Sequence, residues 1–191
     1  MSTPFARFAA ICLVFTGFLA VSAAHGADPI DQHPGMDLIP WPKSVKIEPG
    51  ELAFTAHSRV VATDDSLAPL AKIVAQELAT MTGLPVQTGA APAKPGDIVL
   101  KIDASLKADQ SLLTVHGQDV VETTDGADTV QVGDQAVVSG FDYRAVCEGS
   151  ATLLQSLRQN SGQFSFPKLT IKDWPNADYC ALMVDVARQD H

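Results

Sequence analysis

Cysteine is scarce in this chain: three in 191 residues, with Cys12 inside an amino-terminal apolar run and only Cys147 and Cys180 beyond it. Two cysteines do not make a disulfide framework, and one bridge or a pair of buried thiols fits them alike. There is no CxxC, no HExxH and no Cys/His cluster; His33, His57, His116 and His191 stand apart. A metal site therefore has no support, and no cofactor is expected. Clusters of Lys and Arg are also missing from a chain of net charge −9. That balance argues against nucleic acid and against anionic membrane surfaces as partners. It names no substrate, because solubility alone accounts for it. Internal repeats and low-complexity tracts are absent too.

What is present begins with a leader. Arg7 supplies a positive start, and residues 8–21 are almost wholly apolar (Phe8, Ile11, Leu13, Val14, Phe15, Phe18 and Leu19 among them). Ser22, Ala23 and Ala24 follow, the small-residue pattern that a signal peptidase reads. Cleavage after Ala24 is expected, giving residues 1–24 as a signal peptide and an exported product, periplasmic or secreted. The run is short of the ~20 residues that a membrane-spanning helix needs, so no membrane association is expected after cleavage. Cys12 lies within the run and no cysteine follows the cleavage region, which argues against a lipoprotein anchor. The 167 remaining residues are enough for one domain with a proper core.

Residues 25–37, with Pro29, Pro34 and Gly35, read as a tether, and order is expected from Leu38 onward. Val45 and Ile47 alternate with Lys46 and Glu48; a turn at Pro49-Gly50 then leads to Leu52 and Phe54, which predicts a hairpin with one buried face. Residues 59–62 predict a strand. Over residues 66–82, Leu67, Leu70, Ala71, Val74, Leu78 and Met81 form one apolar stripe at helical spacing. Ser66 or Asp65 is placed to cap its start, and Gly83 suits the left-handed position past its end. Further short strands are predicted at 85–87, 98–102, 113–115, 120–121, 129–132 and 136–138, with a loop at 89–96. A second helix is predicted over 143–158, burying Val146, Leu153, Leu154 and Leu157. The order implies an α+β fold: an antiparallel or mixed sheet with two helices packed on one face.

Beyond residue 168 the character changes. Residues 169–171 predict a strand and Asp173-Trp174-Pro175 a turn. Residues 179–188 then form a nearly continuous apolar strand, Ala181-Leu182-Met183-Val184-Asp185-Val186-Ala187 having no polar face. A strand that reads so is buried on both sides, and it implies a larger domain after it.

Three stretches together resemble the glycoside hydrolase family of β-N-acetylhexosaminidases. Leu38-Ile39-Pro40-Trp41-Pro42-Lys43 is similar to that family's lead into its front domain. Ser139-Gly140-Phe141-Asp142-Tyr143, running into Gly149-Ser150-Ala151-Thr152-Leu153-Leu154-Gln155, resembles its second helix with a Gly-x-x-Thr-Leu-Leu-Gln pattern. Ile171-Lys172-Asp173-Trp174-Pro175, followed by Leu182-Met183-Val184-Asp185-Val186-Ala187-Arg188, is similar to its linker and first barrel strand. The resemblance runs from Leu38 to His191. Cys180-Ala181, Gln189-Asp190, Glu148 and Ser150 depart from common family residues, which bears on subfamily.

The resemblance implies a front domain of zincin-like fold over residues 38–175 and the start of a (β/α)8 barrel over 176–191. It implies a retaining exo-glycosidase acting on glycans with terminal N-acetylglucosamine or N-acetylgalactosamine, in which the sugar's own acetamido oxygen attacks the anomeric carbon. The Asp-Glu pair that would orient that group and move the proton belongs to a later barrel strand. No catalytic residue is thus expected in this chain, and the chain alone is expected to be inactive. One substrate-binding residue carries over, Arg188, at the carboxyl end of the first barrel strand where such sites collect. Its guanidinium offers fixed donors to sugar hydroxyls. Asp185, of opposite parity, is expected to serve structure. Asp64-Asp65 and Glu122 are expected to be solvated, Asp125-Gly126 to turn, and Trp41 and Trp174 to pack in the core or an interface. The competing reading is a free-standing exported α+β module that binds glycan or a partner protein.

Overall fold

The computed structural model describes residues 35–107 and 126–175. Strands β1 (Ser44–Phe54), β2 (Arg59–Ala62), β3 (Gln87–Gly89), β4 (Ile98–Ile102), β5 (Asp128–Val132), β6 (Ala136–Gly140), β7 (Arg158–Asn160) and β8 (Gln163–Asp173) join helices α1 (Ala68–Thr82) and α2 (Tyr143–Gln155). Among the described residues the strands form one sheet in the order β1-β8-β5-β6-β4-β2-β3, with β7 also paired to β8. The half from β1 to β6 is antiparallel and the half from β6 to β3 is parallel. Parallel neighbours need a crossover, and α1 supplies it after β2. The mixed sheet with two helices in mutual contact is the α+β layer that the residue pattern predicts.

The helical stripe explains α1. Leu70, Ala71, Val74 and Leu78 turn into the core, while Met81 at the stripe's far end is 49% exposed. Its start differs from expectation: the Asp64 side chain, not that of Ser66 or Asp65, accepts the Ser66 amide and caps a 3-10 turn over Asp65–Leu67. Pro69 then falls within the first turn of α1, where the missing N–H costs no helical bond. Gly83 stops the helix in the left-handed region at φ 70°, as expected. In α2, Asp142 caps the start by accepting the Ala145 amide. This helix ends at Gln155, three residues early, because Arg158 already begins β7.

The predicted hairpin over residues 45–54 does not form. Val45, Ile47, Leu52 and Phe54 belong to one long strand, which pairs throughout with β8. Pro49-Gly50 lies where the register shifts between Ile47 and Glu51, and Gly50 takes φ 102°. A prolyl nitrogen cannot donate to a ladder, so this position makes a bulge rather than a reversal. Strand β8 is correspondingly longer than the predicted 169–171. The strand expected at 85–87 forms two residues later, as β3. The strands expected at 113–115 and 120–121, the residue Glu122 and the barrel strand at 179–188 lie outside the described residues.

One core cluster joins both helices to the sheet, with Phe166, Leu78, Leu100, Leu153 and Ile171 fully buried in it. The rings of Phe54 and Phe166 meet edge to face at 5.7 Å, the geometry aromatic quadrupoles favour. Met36 and Leu38 are buried in the same cluster. In the parallel half, just before β4, Asp97 is 2% exposed and accepts from the Arg59 amide (3.2 Å), the Lys94 amide (2.7 Å) and the Arg59 guanidinium (2.5 Å). Burial pushes its carboxyl up, but these donors more than offset it and hold the group below its ordinary range.

Candidate functional site

A groove of about 430 Å³ opens where the backbone comes into this domain and where it leaves. The Ile39–Lys43 stretch forms one wall, α2 another, and Trp174-Pro175 a third. The Ile39 amide donates to the Gln155 side chain at 2.8 Å, pinning the incoming chain to the end of α2. The Lys43 ammonium stands 5.7 Å from the centre of the Trp174 ring, within cation–π range. The Arg144 guanidinium holds Glu148 one turn along α2 at 2.9 Å.

The buried centre of this groove is a pair of carboxyls. Asp128 opens β5 and lies directly across the antiparallel ladder from Asp173, the last residue of β8. Partners so placed project to the same face with their Cβ atoms ~5 Å apart. Asp173 spends one oxygen on backbone amides, from Trp174 (2.9 Å) and Lys43 (3.3 Å). Burial pushes the Asp173 carboxyl above its ordinary range despite those bonds. Asp128 is 4% exposed, and its Oδ1 accepts no hydrogen bond. Burial first, then the charges of Asp173 and Glu148, push its carboxyl up to about 8.

Gly149 makes this arrangement possible. A Cβ there would come within 2.9 Å of both Asp128 Oδ1 and the Val138 side chain. Thus two residues of the Gly-x-x-Thr-Leu-Leu-Gln pattern have visible work here: Gly149 clears space over Asp128, and Gln155 holds the incoming chain. Leu153, from the same pattern, is in the core.

A pair of carboxyls invites comparison with the acid and base of a glycosidase. These two serve otherwise, since one is tied to backbone amides and the other is shut between sheet and helix. Among the described residues no group of three or more His, Cys, Asp or Glu is placed to hold a metal ion. A larger cavity, about 570 Å³ beside the β7–β8 turn, has Glu51 in its lining, but that carboxylate already accepts from Ser165 at 2.8 Å.

Arg188, the substrate-binding residue expected from the sequence, lies outside the described residues, as do Asp185 and Cys180. Cys147 is half-buried, and burial raises its thiol above the ordinary range. Trp174 is buried and Trp41 packs against the core, as expected of both. Asp128 and Asp173 were not predicted. The signal was parity: Asp128 shares the inward face with Val130 and Val132, and Asp173 shares it with Leu169 and Ile171.

A mixed sheet backed by two helices defines an α+β domain. The sequence model described as glycosyl hydrolase family 20, domain 2, matches residues 35–174, and the chain belongs to that family. The described residues are its amino-terminal non-catalytic domain. The chain is 27% identical over 157 residues to a β-hexosaminidase of Vibrio furnissii, covering 82% of this chain and 22% of that protein. Among solved structures, a chitobiase of Flavobacterium johnsoniae shares the fold with a TM-score of 0.61 at 21% identity, over 80% of this chain and 23% of that one. An exo-β-N-acetylglucosaminidase of Vibrio harveyi, solved with N-acetylglucosamine, gives a TM-score of 0.55 at 18% identity, over 72% and 19%. The chain thus spans about a fifth to a quarter of the length of these relatives.

Proposed function

We propose that this chain is the front part of an exported β-N-acetylhexosaminidase that removes terminal N-acetylglucosamine or N-acetylgalactosamine with retention. The observation that carries the reading is the match of residues 35–174 to the family's non-catalytic domain in a chain that covers 22% of its hexosaminidase relative. On this reading residues 1–24 are removed on export. Residues 35–175 support a (β/α)8 barrel whose first strand is 179–188, and Arg188 binds the terminal sugar from that strand's carboxyl end. The acetamido group of the substrate is the nucleophile, and the acid–base pair lies further along the polypeptide.

Two measurements test this. The intact mass of the native exported protein should far exceed that of residues 25–191, and that longer protein should hydrolyse an aryl N-acetylglucosaminide. The 191-residue chain should show no rate above background on the same substrate. A native mass equal to residues 25–191 would refute the reading, and so would turnover by the short chain.

A further inference from the structure

Asp128 is closed in by strands on two sides and by a helix above. On β5 it pairs across the ladder with Gly140 of β6 on one side and Asp173 of β8 on the other. Over it lies Gly149 of α2, so close that a Cβ there would stand 2.9 Å from Oδ1. That oxygen is enclosed and accepts no hydrogen bond. A carboxyl held in this way is stable while it keeps its proton; ionised, it needs donors or water.

The groups around it do not favour the anion. Asp173 on β8 and Glu148 on α2 both repel it. Of the two cations lining the groove, Arg144 of α2 holds Glu148, and Lys43 of the incoming chain stands over the Trp174 ring. Burial makes Tyr143 and Cys147, also on α2, keep their protons above their ordinary values. From β6 come only the uncharged Gly140 and Val138. Water therefore reaches an ionised Asp128 only if an element moves. The strand is the firmer side, because β5 is hydrogen-bonded along both edges. The helix is the softer one. It buries Ala145, Val146 and Leu153 against the sheet, but its Ser150 and Thr152 hydroxyls bond back to its own carbonyls. Gly149 in mid-helix weakens it further, just over the carboxyl.

We propose that α2 is a proton-controlled cover: loss of the Asp128 proton lifts its first half, residues 143–150, and admits water to the carboxyl while the strands stay paired. The device is complete within the described residues and does not depend on the chain being part of a longer enzyme.

The test is amide hydrogen exchange on the 191-residue chain, parent and Asp128→Asn, from pH 5.5 to 7.5. With α2 seated the carboxyl keeps its proton up to about 8; with α2 lifted it meets water and returns towards its ordinary 3.8. Between those values the lifted state holds one proton fewer, so its population rises about tenfold per pH unit. After correction for the base catalysis intrinsic to exchange, protection over residues 143–150 should fall about 100-fold across the two units. The same residues should exchange faster than β4 at every pH, the mark of local opening rather than unfolding. In Asp128→Asn, which keeps the shape and cannot ionise, protection over 143–150 should be flat in pH. Flat protection in the parent would overturn the proposal, and that outcome needs no variant. Equal exchange in 143–150 and β4 would overturn it too, by assigning the proton loss to global unfolding. A variant that keeps the parent's slope would give the titration to another group and remove Asp128 from the device.

Discussion

Asp128→Asn should make the isolated domain more stable at pH 8 than at pH 5, relative to the parent, and the size of the effect follows from the burial. In the folded domain the carboxyl keeps its proton up to about pH 8, against an ordinary value of 3.8. Between those limits the native state binds more protons than the unfolded chain, so stability falls as pH rises. Each pH unit is worth ~1.4 kcal/mol per proton. The roughly 4 units between the two values therefore amount to something on the order of 5 kcal/mol, a large share of a small domain's stability. Asn cannot ionise, so the variant loses this part of the slope. Its amide brings an unpaired donor that costs ~1–3 kcal/mol, but at every pH alike. The assay is urea unfolding followed by tryptophan fluorescence at pH 5, 6.5 and 8. The free-energy difference between variant and parent should climb in the variant's favour by several kcal/mol from pH 5 to 8. Parallel pH profiles for the two proteins would refute the reasoning, and a difference moving the other way would reverse its sign.

Asp97 works in the opposite sense. The donors from Arg59 and Lys94 hold it low, so its contribution is full above the ordinary carboxylate range and fades as pH falls through its folded value. Asp97→Ala leaves a half-buried guanidinium unpaired and should cost ~3–5 kcal/mol at pH 7 by denaturant unfolding. Gly149→Ala gains up to ~1 kcal/mol of helix propensity, but the added methyl meets Asp128 and Val138 at 2.9 Å. Overpacking of ~1–3 kcal/mol should win, and a lowered urea midpoint is the readout. Phe166→Ala removes a fully buried ring and its contact with Phe54. It should cost ~3–5 kcal/mol, read the same way.

Local pattern was enough for the elements whose partners are themselves. The stripe from Leu70 to Leu78 is a helix because its contacts recur every turn, and Gly83 marks its end. Val130 and Val132 alternate into a strand for the same local reason. Pairing is another matter. The alternation of Val45, Ile47, Leu52 and Phe54 predicted a strand with one buried face, of which Leu52 and Phe54 are buried and Ile47 is 37% exposed; it could not reveal the strand's neighbour, and the nearest candidate, a hairpin with itself, was mistaken. The true partner lies more than a hundred residues away on β8. The groove was hidden for a related reason: it is assembled from β5, α2, β8 and the incoming chain. Asp128 and Asp173 become a pair only when two strands that are remote in sequence are laid side by side. The family pattern at Gly149 to Gln155 was visible, but its physical purpose waited on that pairing.

The adjacency of β1 and β8 has a consequence in time. The first strand of the domain finds its ladder partner only in the last, so Ile47 must wait for Leu169 to be made. At ~5–20 residues per second of synthesis that wait is on the order of ten seconds. Contacts of such sequence separation also slow folding once the chain is complete. Throughout that interval the edge of β1 and the apolar faces of Leu52 and Phe54 stay uncovered. Those surfaces are covered only once β8 is in place.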